Sequence, residues 1–145
     1  MGNKQYDNHL GIIGWLAGGR WGFERYLYIL HRVTGLGILM FFLLHIFASS
    51  VRMYGPESWA VAMTILKNPV FKLGEFAVFL AFAFHALNGI RLILIELGLA
   101  VGRAEEPVYP YKSSLNTQKP LMLIVMALCA ILILAGGYNT FFGNH

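Results

Sequence analysis

His85 is the polar residue whose surroundings most strongly indicate a chemical function. It lies midway along an apolar segment, with Gly89 four residues later and Arg91 six residues later. On a helix, Asn88 and Gly89 would share a face with His85. An ionisable side chain at bilayer depth is costly unless it has a partner, so this histidine predicts a binding site.

Two more histidines share one face of an earlier apolar segment. At about 100° per residue, a helix that contains His31 brings Gly35, His45 and Ser49 to within about 40° of one line. Gly35 would allow a bulky group or another backbone to approach closely. We therefore expect this helix and the helix of His85 to form the functional pair.

These side chains require elements that cross a membrane. Of the 145 residues, 57% are hydrophobic and 12% are charged, which is too apolar for an ordinary soluble domain. Three stretches reach the roughly 20 apolar residues that a bilayer requires, at about residues 28–53, 70–98 and 120–138. The sequence predicts an all-α membrane protein with three transmembrane helices. We expect a single membrane-anchor domain over residues 1–145, without a soluble catalytic domain.

The placement of charge predicts the orientation. Lys and Arg are concentrated in residues 1–32 and 91–119, and none follows residue 119. The positive-inside rule then puts the N-terminus in the cytoplasm and the C-terminus outside. Residues 1–27, rich in Gly and aromatic residues, are expected to form a cytoplasmic or interfacial segment, with no cleavable signal peptide. We interpret the net charge of +4 as this topological signal and expect no nucleic-acid partner.

The depth of the histidines limits what they can bind together. If Arg32 and Arg91 mark the cytoplasmic ends of their helices, His45 lies about 20 Å deep and His85 about 9 Å deep. A difference of about 10 Å argues against one shared metal ion and leaves room for two stacked cofactors.

Imidazole on a transmembrane helix is a natural axial ligand for haem iron. A b-type haem needs no cysteine attachment, and the single Cys129 is expected to be a packing residue. His31, Arg32 and Arg91 would supply the cations for the haem propionates. Because this chain offers one histidine at each level, the second axial ligand is expected from another chain.

Other interpretations of the same residues stay open at this point. His85 or His45 could instead hydrogen-bond between helices without a cofactor, and Arg91 could be an ordinary topogenic charge. The third span has little polar content and is expected to be lipid-facing or peripheral.

Two motifs resemble those of a known family. Residues 30–35 are LHRVTG and residues 84–91 are FHALNGIR. They resemble the HR[ILV][ST]G and HxxxG[IL]R motifs of the cytochrome b membrane-anchor subunit of succinate dehydrogenase, the C-type anchor of respiratory complex II. The resemblance covers about residues 25–140. It implies a multi-pass subunit of a prokaryotic cytoplasmic membrane that associates with a flavoprotein, an iron–sulfur protein and a second anchor, with a trimer of the complex as an open alternative.

The resemblance also implies roles for individual residues. His85 matches the axial ligand of the haem b nearer the cytoplasm, and His31 and Arg32 match residues near the propionates and the quinone pocket. Family members often have a serine where this chain has Tyr28, whose phenol can still hydrogen-bond a quinone carbonyl. His45 matches a histidine of diheme members, which favours two haems.

Three alternatives to a succinate:quinone oxidoreductase anchor are kept. The chain could be the anchor of a quinol:fumarate reductase, the cytochrome b subunit of another membrane oxidoreductase, or a structural anchor without haem.

Overall fold

The computed structural model describes Gly11 and residues 23–102, 108–109 and 117–143. Within these residues the chain is helical, and no strand is found. A 3₁₀ helix, Val51–Tyr54, extends the first long helix. The α-helices are α1 (Phe23–Ser50), α2 (Pro56–Leu66), α3 (Pro69–Glu96) and α4 (Lys119–Phe142).

Three described helices are long and apolar enough to cross a membrane, which confirms the predicted fold class. They are α1 with its 3₁₀ extension, α3 and α4. The helix α1 begins at Phe23, about five residues before the predicted start, because the helical backbone continues through Glu24 and Arg25 beyond the apolar run. Most of residues 1–27 and of the loop after α3 lie outside the described residues.

The connection between α1 and α3 contains a helix that the sequence analysis did not predict. Gly55 has φ +100°, which ends the 3₁₀ turn, and Pro56 then occupies the first turn of α2. At the next boundary, the Asn68 side chain accepts a hydrogen bond from the Val70 amide at 3.0 Å, with Pro69 in the first turn of α3. This Asn–Pro pair therefore fixes the start of α3, within one residue of the predicted span of about residues 70–98.

The helix α3 is central, because it packs against both α1 and α4. A small core joins Leu27 of α1, Phe84 of α3, and Met122 and Cys129 of α4. Cys129 is only 4% exposed, as expected for a packing residue. Many large apolar side chains on α1 and α4 remain exposed on this isolated chain, which is appropriate for surfaces that meet lipid or partner helices.

Candidate functional site

The imidazoles of His31 and His85 lie face to face between α1 and α3. Their ring centroids are 4.0 Å apart and their planes differ by 3°. Both residues are half-buried. Two histidines that the sequence analysis considered separately therefore form one structural unit.

Each of these histidines lies against the glycine that follows the other by four residues. A Cβ placed on Gly35 would be 2.7 Å from Cε1 of His85, and a Cβ on Gly89 would be 3.5 Å from Cε1 of His31. Residues 31–35 and 85–89, each a histidine followed four residues later by a glycine, thus pack against each other on antiparallel helices. The close approach expected at Gly35 is confirmed, and the bulky group is the His85 ring itself.

Hydrogen bonds fix the orientation of the His85 ring. Its Nδ1 lies 2.9 Å from the carbonyl oxygen of His31 and 3.3 Å from the hydroxyl oxygen of Thr34. Because a carbonyl oxygen can only accept, Nδ1 must carry the proton and donate it. The neutral ring then has its lone pair on Nε2, which makes no hydrogen bond to any described residue.

The donor set of this unit suits a cofactor that brings most of its own ligands. Among the described residues, no group of three or more His, Cys, Asp or Glu side chains is arranged to hold a bare metal ion. A haem iron already has four ring nitrogens and requires from the protein only axial ligands such as an imidazole nitrogen. His85, with Nε2 available, could provide one such ligand.

Several buried polar atoms near the two helix motifs lack a hydrogen-bond partner. They are Nε of Arg25, Nδ1 of His31, Oδ1 of Asn88 and Nε of Arg91. Asn88 is 1% exposed and Arg91 is 6% exposed. A buried group without a partner costs about 1–3 kcal/mol, so a polar ligand or a polar group of a partner subunit would be stabilised here.

The burial of Arg91 argues against the topogenic interpretation, because a snorkelling arginine would reach the surface. Glu24, in the first turn of α1, exerts an opposing charge on Arg91. Unsatisfied guanidinium N–H groups of Arg25 and Arg91 fit the carboxylates of haem propionates.

Tyr28 and Arg32 form a second group on a neighbouring, exposed face of α1. Arg32 Nη1 donates a hydrogen bond to the Tyr28 hydroxyl at 3.1 Å, and its guanidinium carbon lies 5.5 Å from the centre of the Tyr28 ring. The predicted quinone residues Tyr28 and Arg32 therefore contact each other. His31, the third predicted quinone residue, lies between Tyr28 and Arg32 in the sequence, and its ring stacks on that of His85.

His45 lies far from His85, farther than the sequence predicted. It follows His31 by 14 residues, and His31 is level with His85, so the separation along α1 is about 21 Å. The predicted difference of about 10 Å was wrong because it assumed that Arg32 and Arg91 lie at the same depth. Arg32 is next to His31 and therefore level with His85, whereas Arg91 is six residues from His85. The axis of α1 extends two turns before Arg32.

A large cavity adjoins His45 at this distant end. Its volume is about 830 Å³, and it lies between the end of α1, the helix α2 and the start of α3. The walls are mainly apolar, with Lys67, Lys72 and Glu75 as the charged residues and the Phe41 ring centroid 5.8 Å from that of His45.

Sequence reasoning placed Asn88 on the face of His85 without assigning it a role in the site, and it did not single out Arg25. The signal for Asn88 was its position three residues after His85, which mirrors that of Thr34 after His31. Arg25 gave no such signal.

Comparison with known proteins assigns the chain to a family. The sequence profile described as "Succinate dehydrogenase/Fumarate reductase transmembrane subunit" matches residues 3–135. The chain belongs to this family. The succinate dehydrogenase 2 membrane subunit SdhC of Mycobacterium tuberculosis is 33% identical over 69 residues, which are 48% of this chain and 51% of that protein. The succinate dehydrogenase hydrophobic membrane anchor subunit of Halobacterium salinarum is 25% identical over 95 residues, 63% of this chain and 73% of that protein.

The match to the mycobacterial protein thus spans about half of its length. As a member of this transmembrane-subunit family with three helices long and apolar enough to cross a bilayer, the chain is a multi-pass membrane protein. The two histidine motifs lie inside the matched region, so the predicted family of succinate dehydrogenase membrane subunits is confirmed, while the C-type assignment stays a prediction. The haem and quinone residues stay predictions.

Proposed function

We propose that the chain is the haem-bearing, C-type membrane anchor of a succinate:quinone oxidoreductase and forms part of its quinone site. The observation that carries this proposal is the state of His85. Its Nδ1 is occupied by the His31 carbonyl while Nε2 makes no hydrogen bond to a described residue, in a site where buried polar atoms such as Nε of Arg91 lack a hydrogen-bond partner.

Haem b, when bound, supplies a one-electron carrier between an iron–sulfur subunit and quinone. His85 would hold the iron through Nε2. Arg91 and Arg32, together with His31, would neutralise the propionates, and the unpartnered Nε of Arg91 favours that role.

The second axial ligand of this haem would come from a partner anchor. Two imidazoles stacked face to face cannot direct nitrogen atoms at one iron from opposite sides, so His31 is unsuited to that position. The chain is therefore incomplete as a haem protein without a second membrane subunit.

His45 would be the ligand of a second, distal haem. The His45 side chain is exposed and adjoins the cavity of about 830 Å³. Because His45 lies about 21 Å from the level of His85 along α1, a haem there would occupy a separate site. As with His85, this chain contributes one histidine at that level, and a partner would contribute the other.

The pair formed by Tyr28 and Arg32 would contact the quinone. The Tyr28 hydroxyl accepts from Arg32, which leaves its own O–H free to donate to a quinone carbonyl. The guanidinium retains further N–H donors for the same oxygen as negative charge develops on it. His31, one residue from Arg32, would link this pocket to the haem.

In this assignment residues 1–145 form one membrane-anchor domain in a prokaryotic cytoplasmic membrane, with the N-terminus cytoplasmic and the C-terminus outside. Its partners would be a flavoprotein, an iron–sulfur protein, a second anchor and lipid, and the whole complex could associate as a trimer. The extensive exposed apolar surface of α1 and α4 supports contacts with lipid and a second anchor.

The experiment is affinity purification of the tagged chain from native membranes in mild detergent. We expect a covalent flavoprotein and an iron–sulfur protein to co-purify, and succinate to reduce a quinone analogue. Faster fumarate reduction with a low-potential quinol would instead assign a quinol:fumarate reductase. An active complex without haem would show that the chain is a structural anchor.

A further inference from the structure

We propose that Thr34 is a positioning residue for His85. Its hydroxyl accepts a hydrogen bond from Nδ1–H of His85, which fixes the rotation of the ring and strengthens Nε2 as an electron donor. The consequence for a bound iron rests on the proposed function. The hydrogen bonds themselves are properties of this chain alone.

The hydrogen-bond geometry at Thr34 assigns the direction of each bond. Thr34 Oγ1 lies 2.8 Å from the Leu30 carbonyl oxygen, 3.0 Å from the His31 carbonyl oxygen and 3.3 Å from His85 Nδ1. A hydroxyl has one proton to donate and two lone pairs. Donation to the nearest carbonyl, that of Leu30, leaves the oxygen free to accept from His85.

The opposite direction is unfavourable. If Thr34 donated to His85 Nδ1, that nitrogen would present a lone pair to the His31 carbonyl oxygen at 2.9 Å. Two acceptors at that distance repel each other. The Nδ1 proton is therefore shared between the His31 carbonyl and the Thr34 hydroxyl.

The hydroxyl adds a restraint on the rotation of the His85 ring to those of the His31 carbonyl, the stacked His31 ring and Gly35. The His31 carbonyl alone is a single acceptor about which the ring could tilt. Thr34 adds a second acceptor whose own position is fixed by its bond to the backbone one turn earlier, and Gly35 provides the flat surface below the ring. Thr34 is itself buried, so water cannot replace the hydroxyl easily.

Hydrogen bonding at the outer nitrogen of a ligand histidine raises the basicity of the ligating nitrogen. A more basic ligand stabilises ferric iron and lowers the reduction potential. Removal of the Thr34 hydroxyl should therefore raise the potential of a haem held by His85. It should also let the ring rotate, which changes the g-values of the ferric low-spin haem.

The test uses Thr34→Val, which preserves the shape of the side chain, and Thr34→Ser, which preserves the hydroxyl. A matched control is Thr64→Val on α2, where the hydroxyl also donates to a carbonyl one turn earlier, at 2.9 Å from Ala60, and no hydrogen bond to a histidine is observed. The intact complex is purified, and haem content, redox titration and electron paramagnetic resonance are measured.

We expect Thr34→Val to raise the midpoint potential of one haem and to shift its g-values. Thr34→Ser and Thr64→Val should match the wild type. A haem-containing Thr34→Val complex with unchanged potential and g-values would overturn the proposal. If the Thr34→Val complex does not assemble, the test is pulsed electron paramagnetic resonance of the wild-type complex, which measures the quadrupole coupling of His85 Nδ1. Quadrupole couplings typical of a strongly hydrogen-bonded N–H are expected, and those of a free N–H would refute the role. Absence of haem from the wild type would refute the proposed function instead.

Discussion

Substitution of Gly35 by alanine tests the interlocked arrangement of α1 and α3 most sharply. The added Cβ would lie 2.7 Å from Cε1 and 3.3 Å from Nδ1 of His85. Ordinary contact begins at about 3.4 Å, so the ring must retreat by about 0.7 Å. A retreat away from α1 would lengthen the 2.9 Å bond to the His31 carbonyl to about 3.6 Å, which is no longer a hydrogen bond.

The energetic consequence follows from these distances. Overpacking of a well-packed contact costs about 1–3 kcal/mol, and a lost hydrogen bond adds about 1 kcal/mol. Gly37→Ala is the matched control, because its Cβ would meet nothing within 4 Å on the same helix. Both substitutions gain the helix propensity of alanine, about 1 kcal/mol, so their difference isolates the clash at about 2–4 kcal/mol.

The assay compares thermal unfolding and haem retention of the two variants in the purified complex. We expect Gly35→Ala to unfold at a lower temperature than Gly37→Ala and to retain less haem. Equal unfolding temperatures and equal haem content in the two variants would refute the close contact between Gly35 and His85.

Three further predictions concern other parts of the subunit. Tyr28→Phe removes the hydroxyl that accepts from Arg32, and should raise the KM for quinone several-fold with an unchanged haem spectrum; an unchanged KM would exclude Tyr28 from the pocket. Arg91→Met should lower haem retention while the apo-subunit stays folded, because it removes a buried charge without a hydrogen-bond partner at Nε; full haem retention would exclude a propionate contact. Relative to the same Gly37→Ala control, Gly136→Ala should destabilise the packing of α4 on α3 by about 1–3 kcal/mol, since its Cβ would overlap the Phe79 ring, and equal unfolding temperatures of the two variants would contradict that contact.

The fold could be predicted because each span is a long apolar run. A bilayer leaves helices as the only way to satisfy backbone polar groups in such runs. The short helix α2 was missed because its 11 residues, Pro56–Leu66, are at the lower limit of the window in which periodicity can identify a helix. The start of α1 was placed too late, since charged residues in the first turns of a helix do not interrupt its hydrogen bonding.

The site was predicted in part. His85, Gly89 and Arg91 follow from spacing within one helix, which a sequence displays directly. The stack of His31 on His85 depends on the register between two helices, and that register is set by packing. Without that register, Arg32 and Arg91 were assumed to lie at the same depth, and this assumption gave the wrong separation in depth between His45 and His85.

Haem quantification in the intact complex tests the central claim most directly. The wild-type complex and the His85→Ala and His45→Ala variants are compared by pyridine haemochrome assay and reduced-minus-oxidised spectra, per copy of this chain. Two b haems in the wild type and one in each variant are predicted, with the two variants losing spectrally distinct haems. One haem in the wild type and in His45→Ala would remove the distal site. A wild-type complex without haem, or a His85→Ala complex with its haems unchanged, would contradict the account.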